Sequence, residues 1–523
     1  MIDNLEPITI RAIELRRISL PLVTPFRTSF GTENSRDILL VRVETDSHSG
    51  WGECVSGNDP LYSSEYVEGS QHVMVHHLIP RLFAFNGGRM SAHDVAHILE
   101  QVKDHRMAKA ALEAAVLDAQ LRANNVSLAS HLGSINELIP SGVSVGIANS
   151  IDELVATVGG YLDEGYVRIK LKIEPGWDIE PVRVIRQTFG DHVPLQVDAN
   201  TAFTRNDGPL LAQLDPFNLL LIEQPLPEDD ITGHALIAKQ VATPICLDES
   251  IVSSVAAVDA IERGACSIIN IKAGRVGGYL EAVRIHDVCR ERGIPVWCGG
   301  MLETGIGRAM NLALAGLPNF TITGDVSASE RFWKKDIVTE PIRLENGQVR
   351  LPQGSGTGVQ IDHAFLNDVS TSTTTLRPSR NVGTIVSNMT FPFLSDEWMD
   401  AAKAIRAKYQ GQAPKITAVI RINQVITDVP FGDGSIKSYM DTSSGEMEVE
   451  LGELENPDAV VTTDWATARQ IFGLNDQAAA MQAFMGGKIK VAGDMMKMMA
   501  MQTAIPQSDI TAKVAEEIKA ITE

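Results

Sequence analysis

Short runs rich in Val, Ile and Leu, each with a charged residue near its carboxyl end, recur through the middle of the chain. The runs VRIKLKI, VPLQVDAN, LLLIEQP, PICLDES and SIINIKAG carry Lys172, Asp198, Glu223, Asp248 and Lys272. Subtracting these positions gives successive gaps of 26, 25, 25 and 24 residues. A strand, a helix and two short loops take about that length, so the pattern predicts consecutive βα units of a parallel barrel. Because functional groups in such barrels lie at the carboxyl ends of the strands, we expect these five to converge at one mouth.

Neighbouring polar positions extend this predicted cluster. Strand alternation in SGVSVGI places the small side chain of Ser144 on a face that leaves room for a ligand. Lys170 lies two positions before Lys172, so both lysines face the barrel interior. Two cations on one face are unfavourable unless anionic groups lie nearby. Asn200 lies two positions beyond Asp198, where it is expected to bind substrate or orient a ligand.

The segments before the barrel have a different pattern. Alternation in LLVRVET predicts a sheet with one solvated face, and HRMAKAALEAAVLDAQLRANN predicts a helix. Strands followed by helices predict an α+β capping domain over residues 1–135, before a barrel over residues 136–368. The polar, glycine-bearing segment 22–34 is predicted to be a loop between two strands of the cap. Within the barrel, a helix over residues 151–164 is predicted to end at Gly165, and NFTITGDV is predicted to be the eighth strand.

The last third of the chain changes character again. Residues 369–390 are rich in Ser and Thr without periodicity and are predicted to be a linker. Residues 391–523 are predicted to form a separate domain, with strands in ITAVIRINQV, SIKSYMD, EMEVELG and AVVTT and helices from Trp465. Nine methionines fall between Met440 and Met501, a density that favours an adaptable apolar cavity.

Composition excludes several classes of partner and indicates a compartment. The formal net charge of −21 argues against a nucleic-acid binder, which needs a basic face. No apolar run reaches the ~18 residues of a membrane span, so an integral membrane protein is not expected. Five scattered cysteines without a CxxC pair are typical of reduced thiols, and the chain is predicted to be cytoplasmic.

The chemistry of the predicted mouth follows from its charges. Three carboxylates so close together repel one another unless a hard cation neutralises them, and oxygen ligands suit Mg²⁺ or Mn²⁺. Such a cation stabilises the enediolate formed when a base removes the proton next to a substrate carboxylate. Burial and the metal are expected to lower the pKa of the lysines toward the ~7–8 that suits a general base.

These residues resemble the enolase superfamily, and specifically its muconate-lactonizing subgroup, over about residues 8–368. The segment WCGGMLETGIGRA, residues 297–309, is similar to the branch of o-succinylbenzoate synthases and N-acylamino acid racemases. The resemblance implies an α+β capping domain and a modified (β/α)7β TIM-type barrel, an α/β fold, and commonly a homo-oligomer. Residues 392–505 resemble the sterol carrier protein type 2 family, a small α+β domain that holds lipids.

The resemblance also implies that the 22–34 loop folds over the barrel mouth, where it excludes water and helps to select substrates. It further implies a role for each site residue. Lys172 and Lys272 would be the acid/base pair, and Lys170 would assist electrostatically beside the carboxylate of a small-molecule substrate. The loop after the seventh strand would present its backbone and a thioether to the substrate side chain. The implied Mg²⁺ ligands are Asp198, Glu223 and Asp248, and the implied loop contacts are Gly300 and Met301.

Three functions remain open at this point. The first is dehydration of 2-succinyl-6-hydroxy-2,4-cyclohexadiene-1-carboxylate to o-succinylbenzoate, in menaquinone synthesis. The second is racemisation of N-acylamino acids, which uses both lysines as bases. A lipid carrier with an inactive barrel is the third, although the presence of all five charged groups argues against it. The GGMLETGIG segment makes a muconate cycloisomerase or a dipeptide epimerase less favoured.

Overall fold

The computed structural model divides into two compact units, residues 1–382 and residues 383–523, and each is described by itself. The structure describes residues 5–378, 391–409, 412, 416–431, 434–445, 447–473, 482–484, 486–498 and 508–522. Among these residues, no helix is both long and apolar enough to cross a membrane.

The first unit begins with a capping domain built on a four-stranded antiparallel sheet. In spatial order its strands are Ser370–Leu376, Ala12–Thr28, Gly31–Glu44 and Ser49–Cys54. The cap helices are Val67–Val73, Ile79–Ala84, Ala92–Leu99, Arg106–Ala123 and Leu128–Leu132. Helix Arg106–Ala123 packs directly on strand Ser49–Cys54. Gly50 and Gly52 permit this close approach, since a Cβ at either position would lie 2.1 Å from the helix backbone.

The predicted linker is wrong at its beginning. Residues 370–376 form an edge strand of the cap sheet and pair antiparallel with the strand Ala12–Thr28. Threonine is β-branched and suits a strand with one solvated face, so a Ser/Thr-rich composition does not by itself indicate a loop. The rest of the predicted linker, from residue 379 to 390, lies outside the described residues.

The barrel contains seven parallel strands in consecutive order, which confirms the predicted α/β class. The strands are Gly142–Val145, Arg168–Lys172, Leu195–Asp198, Ile222–Glu223, Ile245–Leu247, Ile268–Ile271 and Val296–Cys298. The segment NFTITGDV, predicted as an eighth strand, occupies the eighth position with isolated bridges only. Phe320 forms an isolated parallel bridge with Val296 in the seventh strand, and Gly324 forms one with Ser141, just before the first strand. The segment therefore completes the ring.

Helices follow the barrel strands, and short polar side chains cap them. The principal ones are Ile151–Glu164, Ile179–Phe189, Ile231–Ile237, Ser254–Glu262, Tyr279–Glu291 and Gly305–Ala315. Ser150, Ser253 and Thr304 each accept a hydrogen bond from a backbone N–H in the first turn of their helix. The first of these helices ends at Gly165, which adopts φ +100°, as predicted from the glycine.

The second unit is a five-stranded sheet with helices. In spatial order its strands are Glu448–Leu451, Ser435–Asp441, Arg421–Thr427, Ala459–Asp464 and Lys490–Gly493. Helices Asp396–Lys408 and Asp509–Ala520 contribute Trp398 and partly buried Ile518 to its apolar core. The four predicted strands and the helix that begins at Trp465 are confirmed. Four of the nine methionines lie outside the described residues: Met481, Met485, Met499 and Met501.

Candidate active site at the barrel mouth

A cavity of about 340 Å³ lies between the carboxyl ends of the barrel strands and the capping domain. Every predicted acid/base or substrate-contacting residue lines it, namely Ser144, Lys170, Lys172, Asn200, Lys272, Gly300 and Met301. The three predicted metal ligands, Asp198, Glu223 and Asp248, are buried and contact the lining lysines. The structure therefore brings the whole predicted set together.

The lid of this cavity is a β-hairpin rather than the predicted loop. Strands Ala12–Thr28 and Gly31–Glu44 extend through most of segment 22–34, with a break in register between Pro21 and Phe26. The Ser29 Oγ donates to the carbonyl oxygen of Asn200 at 3.2 Å. Phe30 lies 5.6 Å from Tyr62 between ring centroids and lines the cavity. The hairpin covers the mouth, as the sequence interpretation required.

Lys172 is held by two oxygen atoms on the neighbouring strand end. Its Nζ donates to Asp198 Oδ2 and to Asn200 Oδ1, both at 2.6 Å. The Asn200 Nδ2 in turn donates to Glu249 Oε1 at 2.9 Å, which fixes the orientation of the amide. Asn200 therefore orients a lysine, a role consistent with its predicted position near the mouth.

Lys170 lies deeper and bridges three carboxylates. Its Nζ is 3.2 Å from Asp198, 3.1 Å from Glu223 and 2.7 Å from Asp325. It also lies 4.8 Å above the ring of Trp297. Burial lowers the pKa of Lys170, but the three carboxylates outweigh burial and raise it above the ordinary value. Lys170 is therefore a fixed positive charge beside the cavity.

Lys272 is held from both the barrel and the cap. Its Nζ lies 2.7 Å from Asp248 Oδ2 and donates to the Tyr62 hydroxyl at 2.7 Å. Burial lowers the pKa of Lys272, but Asp248 and Tyr62 outweigh burial and raise it well above the ordinary value. The expectation that the pKa of this lysine is lowered is therefore wrong for this arrangement of side chains, because the carboxylate is its direct partner.

The three buried carboxylates have the chemistry of a site for a hard divalent cation. Burial and the nearby charges of Asp198 and Asp248 raise the pKa of Glu223 well above its ordinary range, so the carboxylates lie close enough to repel. The Asp248 Oδ1 accepts no hydrogen bond from any described residue, although Arg275 Nε lies 3.4 Å away. Lysines contact these carboxylates in the structure. Among the described residues, no three acidic, histidine or cysteine side chains are arranged to hold a metal ion. By its chemistry, a set of three carboxylates fits Mg²⁺ or Mn²⁺.

Two further buried acids, Glu53 and Glu303, accept hydrogen bonds from the loop that carries Gly300 and Met301 and from the helix after it. Glu53, from the cap, accepts hydrogen bonds from Thr304 Oγ1 at 2.6 Å and from Gly307 N at 3.1 Å. Burial, with a contribution from neighbouring Glu303, raises the pKa of Glu53 to about 7. Glu303 Oε1 accepts from Met301 N at 2.9 Å. Glu53 therefore connects the cap to the helix that follows the loop.

The sequence reasoning missed several residues of the site. Tyr62 and Arg36 come from the cap, and no periodicity in the sequence distinguishes them. Arg275 follows Lys272 by three positions, and its guanidinium lies 4.6 Å from the Tyr62 ring. Asp325 is the next-to-last residue of the segment NFTITGDV in the eighth position of the barrel, so the same rule that found the other strand ends could have found it.

Comparison with known protein families identifies the first unit. Residues 12–133 match the mandelate racemase / muconate lactonizing enzyme N-terminal domain, and residues 153–365 match the enolase C-terminal domain-like family. An N-succinylamino acid racemase from Amycolatopsis sp is 61% identical to the chain, over 69% of the chain and 97% of that protein. The chain belongs to the enolase superfamily.

Other relatives in the superfamily carry a second activity in their names. An o-succinylbenzoate synthase from Geobacillus kaustophilus is 46% identical over 68% of this chain and 94% of that protein. A solved enolase-superfamily structure from Listeria innocua superposes with a TM-score of 0.68 at 37% identity, covering 71% of this chain and all of that one. The family resemblance in the sequence is confirmed, and the chain is an enzyme of this superfamily.

The second unit has its own match. Residues 400–506 match the SCP-2 sterol transfer family, which confirms the predicted fusion of an enolase-superfamily enzyme with a sterol carrier protein type 2-like domain.

Proposed function

We propose that the barrel dehydrates 2-succinyl-6-hydroxy-2,4-cyclohexadiene-1-carboxylate to o-succinylbenzoate. One observation carries this proposal: two lysines that line one cavity pair with different members of one carboxylate set. Lys172 Nζ lies 2.6 Å from Asp198 and Lys272 Nζ lies 2.7 Å from Asp248. A general base and a cation that line one cavity suit removal of a proton next to a substrate carboxylate.

Each residue has a defined part in this reaction. Lys172, as the free amine, takes the proton from the carbon next to the substrate carboxylate. The resulting ammonium form of Lys172 then protonates the departing hydroxide, so that one water leaves and one carbon–carbon double bond forms. Lys272 and Lys170 remain charged beside the substrate. The lid hairpin excludes water from the cavity.

The implied cation would be held by Asp198, Glu223 and Asp248. When bound, Mg²⁺ or Mn²⁺ supplies the positive charge that the substrate carboxylate needs as its negative charge increases. Asn200 keeps Lys172 directed toward the cavity while this occurs, because its side-chain oxygen accepts from Nζ at 2.6 Å.

Racemisation of N-succinylamino acids is a second candidate for the same site. The 61% identity to a protein of that name favours it, and so does the presence of two lysines rather than one. In this reaction one lysine removes the α-proton and the other delivers a proton to the opposite face. Both candidate reactions require the same proton abstraction, so the contacts in the cavity are compatible with both.

The test is kcat/KM of the Mg²⁺-loaded full chain on the dehydration substrate and on N-succinyl- and N-acetyl-amino acids. We expect dehydration to lead by several powers of ten, each about 1.36 kcal/mol of transition-state stabilisation. Racemisation that equals or exceeds dehydration would assign the enzyme to amino-acid chemistry instead. Absence of turnover on all three substrates would contradict the proposed substrate class.

For the second unit, we propose binding of an apolar ligand. The match to the SCP-2 sterol transfer family supports it, and so do two exposed methionines, Met495 at 46% and Met496 at 77% exposure. A fluorescent fatty acid titrated into the full chain is expected to bind saturably, and Met496→Glu is expected to weaken that binding. Val255→Glu is the matched control, since Val255 is also 77% exposed but lies on a barrel helix. Non-saturable binding, or equal loss in both variants, would contradict the proposal.

A further inference from the structure

The cavity has two chemically different walls. Its barrel wall carries the three lysines and, through them, the buried carboxylates. Its cap wall consists of residues from the lid hairpin and from the 57–62 segment, and among the described lining residues it contributes one cationic side chain, Arg36. A substrate whose reacting carboxylate lies at the barrel wall must direct its other end toward this cap wall.

Arg36 is buried, but part of its guanidinium lacks strong hydrogen-bond partners. It is 4% exposed, and its Nε has no hydrogen-bond partner among the described residues. Its Nη2 approaches the carbonyl oxygens of Val55 and Ser56 at 3.4 Å and that of Met301 at 3.5 Å, the outer limit of a hydrogen bond. Only Nη1 has a strong partner, Glu33, at 3.1–3.2 Å.

The position of Arg36 relative to the catalytic lysines follows from one loop. Lys272 packs on Gly299, where a Cβ would lie 2.6 Å from the lysine Cε, and Arg36 faces the carbonyl of Met301. Two residues of chain span at most about 7 Å. Arg36 and Lys272 therefore contact nearby positions of one loop, and both line the same cavity.

We propose that Arg36 binds a second, distal carboxylate of the substrate and so selects acids with a carboxylate-terminated arm. The inference rests on the proposed function, and it assigns Arg36 to the binding of the succinyl carboxylate of either candidate substrate. The Nε and Nη2 edge of a guanidinium matches a carboxylate with two parallel hydrogen bonds, and in Arg36 this is the edge that lacks strong partners.

Glu33 is the group with which such a carboxylate competes. Its side chain is one-third exposed and belongs to the lid hairpin, so it can turn toward solvent when a ligand anion arrives. Its pairing with Nη1 keeps a buried arginine neutralised before substrate enters, which an apolar wall could not do. The Nε and Nη2 edge then gains the acceptors that it lacks.

Substrate variation tests the proposal on the unmodified full chain. Racemisation kcat/KM is measured for an N-succinyl amino acid, its N-acetyl analogue and its N-succinamoyl analogue, which replaces the distal carboxylate by a neutral amide. We expect the succinyl substrate to exceed both analogues by about 10- to 100-fold, since hydrogen bonds to charged groups have effects of that size. Equal kcat/KM for the succinyl and succinamoyl substrates would overturn the proposal.

Two variants separate recognition from folding. Arg36→Gln is expected to lower kcat/KM on the succinyl substrate about 10- to 100-fold, chiefly through KM, while the acetyl substrate changes by less than about 3-fold. Arg36→Lys keeps the charge and is expected to lie between. Arg42→Gln is the matched control, because Arg42 lies on the same strand and pairs with Glu14 and Glu44 instead of lining the cavity. It should leave both substrates unchanged.

The outcomes also separate this inference from the proposed function. A parallel loss on succinyl and acetyl substrates in Arg36→Gln, with a matching loss in thermal unfolding temperature, would make Arg36 a structural contact and overturn the inference. Absence of turnover by the unmodified enzyme on every substrate would refute the proposed function alone. Calorimetric binding of the same N-succinyl and N-acetyl ligands to unmodified protein and Arg36→Gln then decides the role of Arg36.

Discussion

Alanine at Lys172 is expected to reduce both dehydration and racemisation by about four powers of ten, because it removes the base that begins each reaction. Alanine at Lys272 is expected to abolish racemisation, which needs a proton donor on the second face. Dehydration should fall severely in the Lys272 variant as well, since a buried cation beside the substrate is lost. Both rates are measured on the Mg²⁺-loaded full chain.

Exchange of the substrate α-proton with deuterated solvent shows which face each lysine serves. With the two enantiomers of an N-succinyl amino acid, Lys172→Ala should keep exchange on one enantiomer and Lys272→Ala on the other. Lys239→Ala is the control, because Lys239 is exposed on the outside of the barrel. Near-normal turnover in either active-site variant would refute the assignment of two catalytic lysines.

Removal of divalent cations is expected to reduce turnover by more than about 1,000-fold, and Mg²⁺ or Mn²⁺ should restore it. The physical reason is the buried set Asp198, Glu223 and Asp248, in which burial and the repulsion between the carboxylates raise the pKa of Glu223. Glu223→Gln removes one of the three charges and is expected to weaken Mg²⁺ binding by at least about 10-fold, as measured by calorimetry without substrate.

Asp229→Asn provides the matched control for the cation site. Asp229 is exposed and follows the same barrel strand by a few residues, so its replacement removes one negative charge without touching the cavity. It should leave Mg²⁺ affinity unchanged. If Glu223→Gln and Asp229→Asn bind Mg²⁺ as tightly as the unmodified enzyme, the three carboxylates are not the metal ligands.

The chain itself determined the charged groups of the barrel wall. Lys172, Asp198, Glu223, Asp248 and Lys272 were found because each βα unit repeats at nearly constant length, and each apolar strand ends where its polar residue begins. Those are local properties. Strand alternation alone also placed Lys170 beside Lys172, and the structure puts both at the cavity.

Local patterns misjudged segments whose structure depends on distant partners. Residues 370–376 have the composition of a linker, yet they form a strand because the exposed edge of Ala12–Thr28 offers unpaired backbone groups. The eighth barrel segment has the sequence pattern of a strand, yet it forms only isolated β-bridges with Val296 and Ser141. In both segments the backbone partner lies elsewhere in the chain and decides the outcome.

The cap wall of the site was determined by tertiary structure alone. Tyr62 reaches Lys272 across 210 positions of sequence, and Arg36 reaches Met301 across 265. No periodicity encodes contacts of that separation, because they form only when the capping domain docks on the barrel. The sequence thus determined the reacting groups and their metal chemistry, whereas docking of the cap decided the lid, the partner of Lys272 and the wall that faces the far end of the substrate.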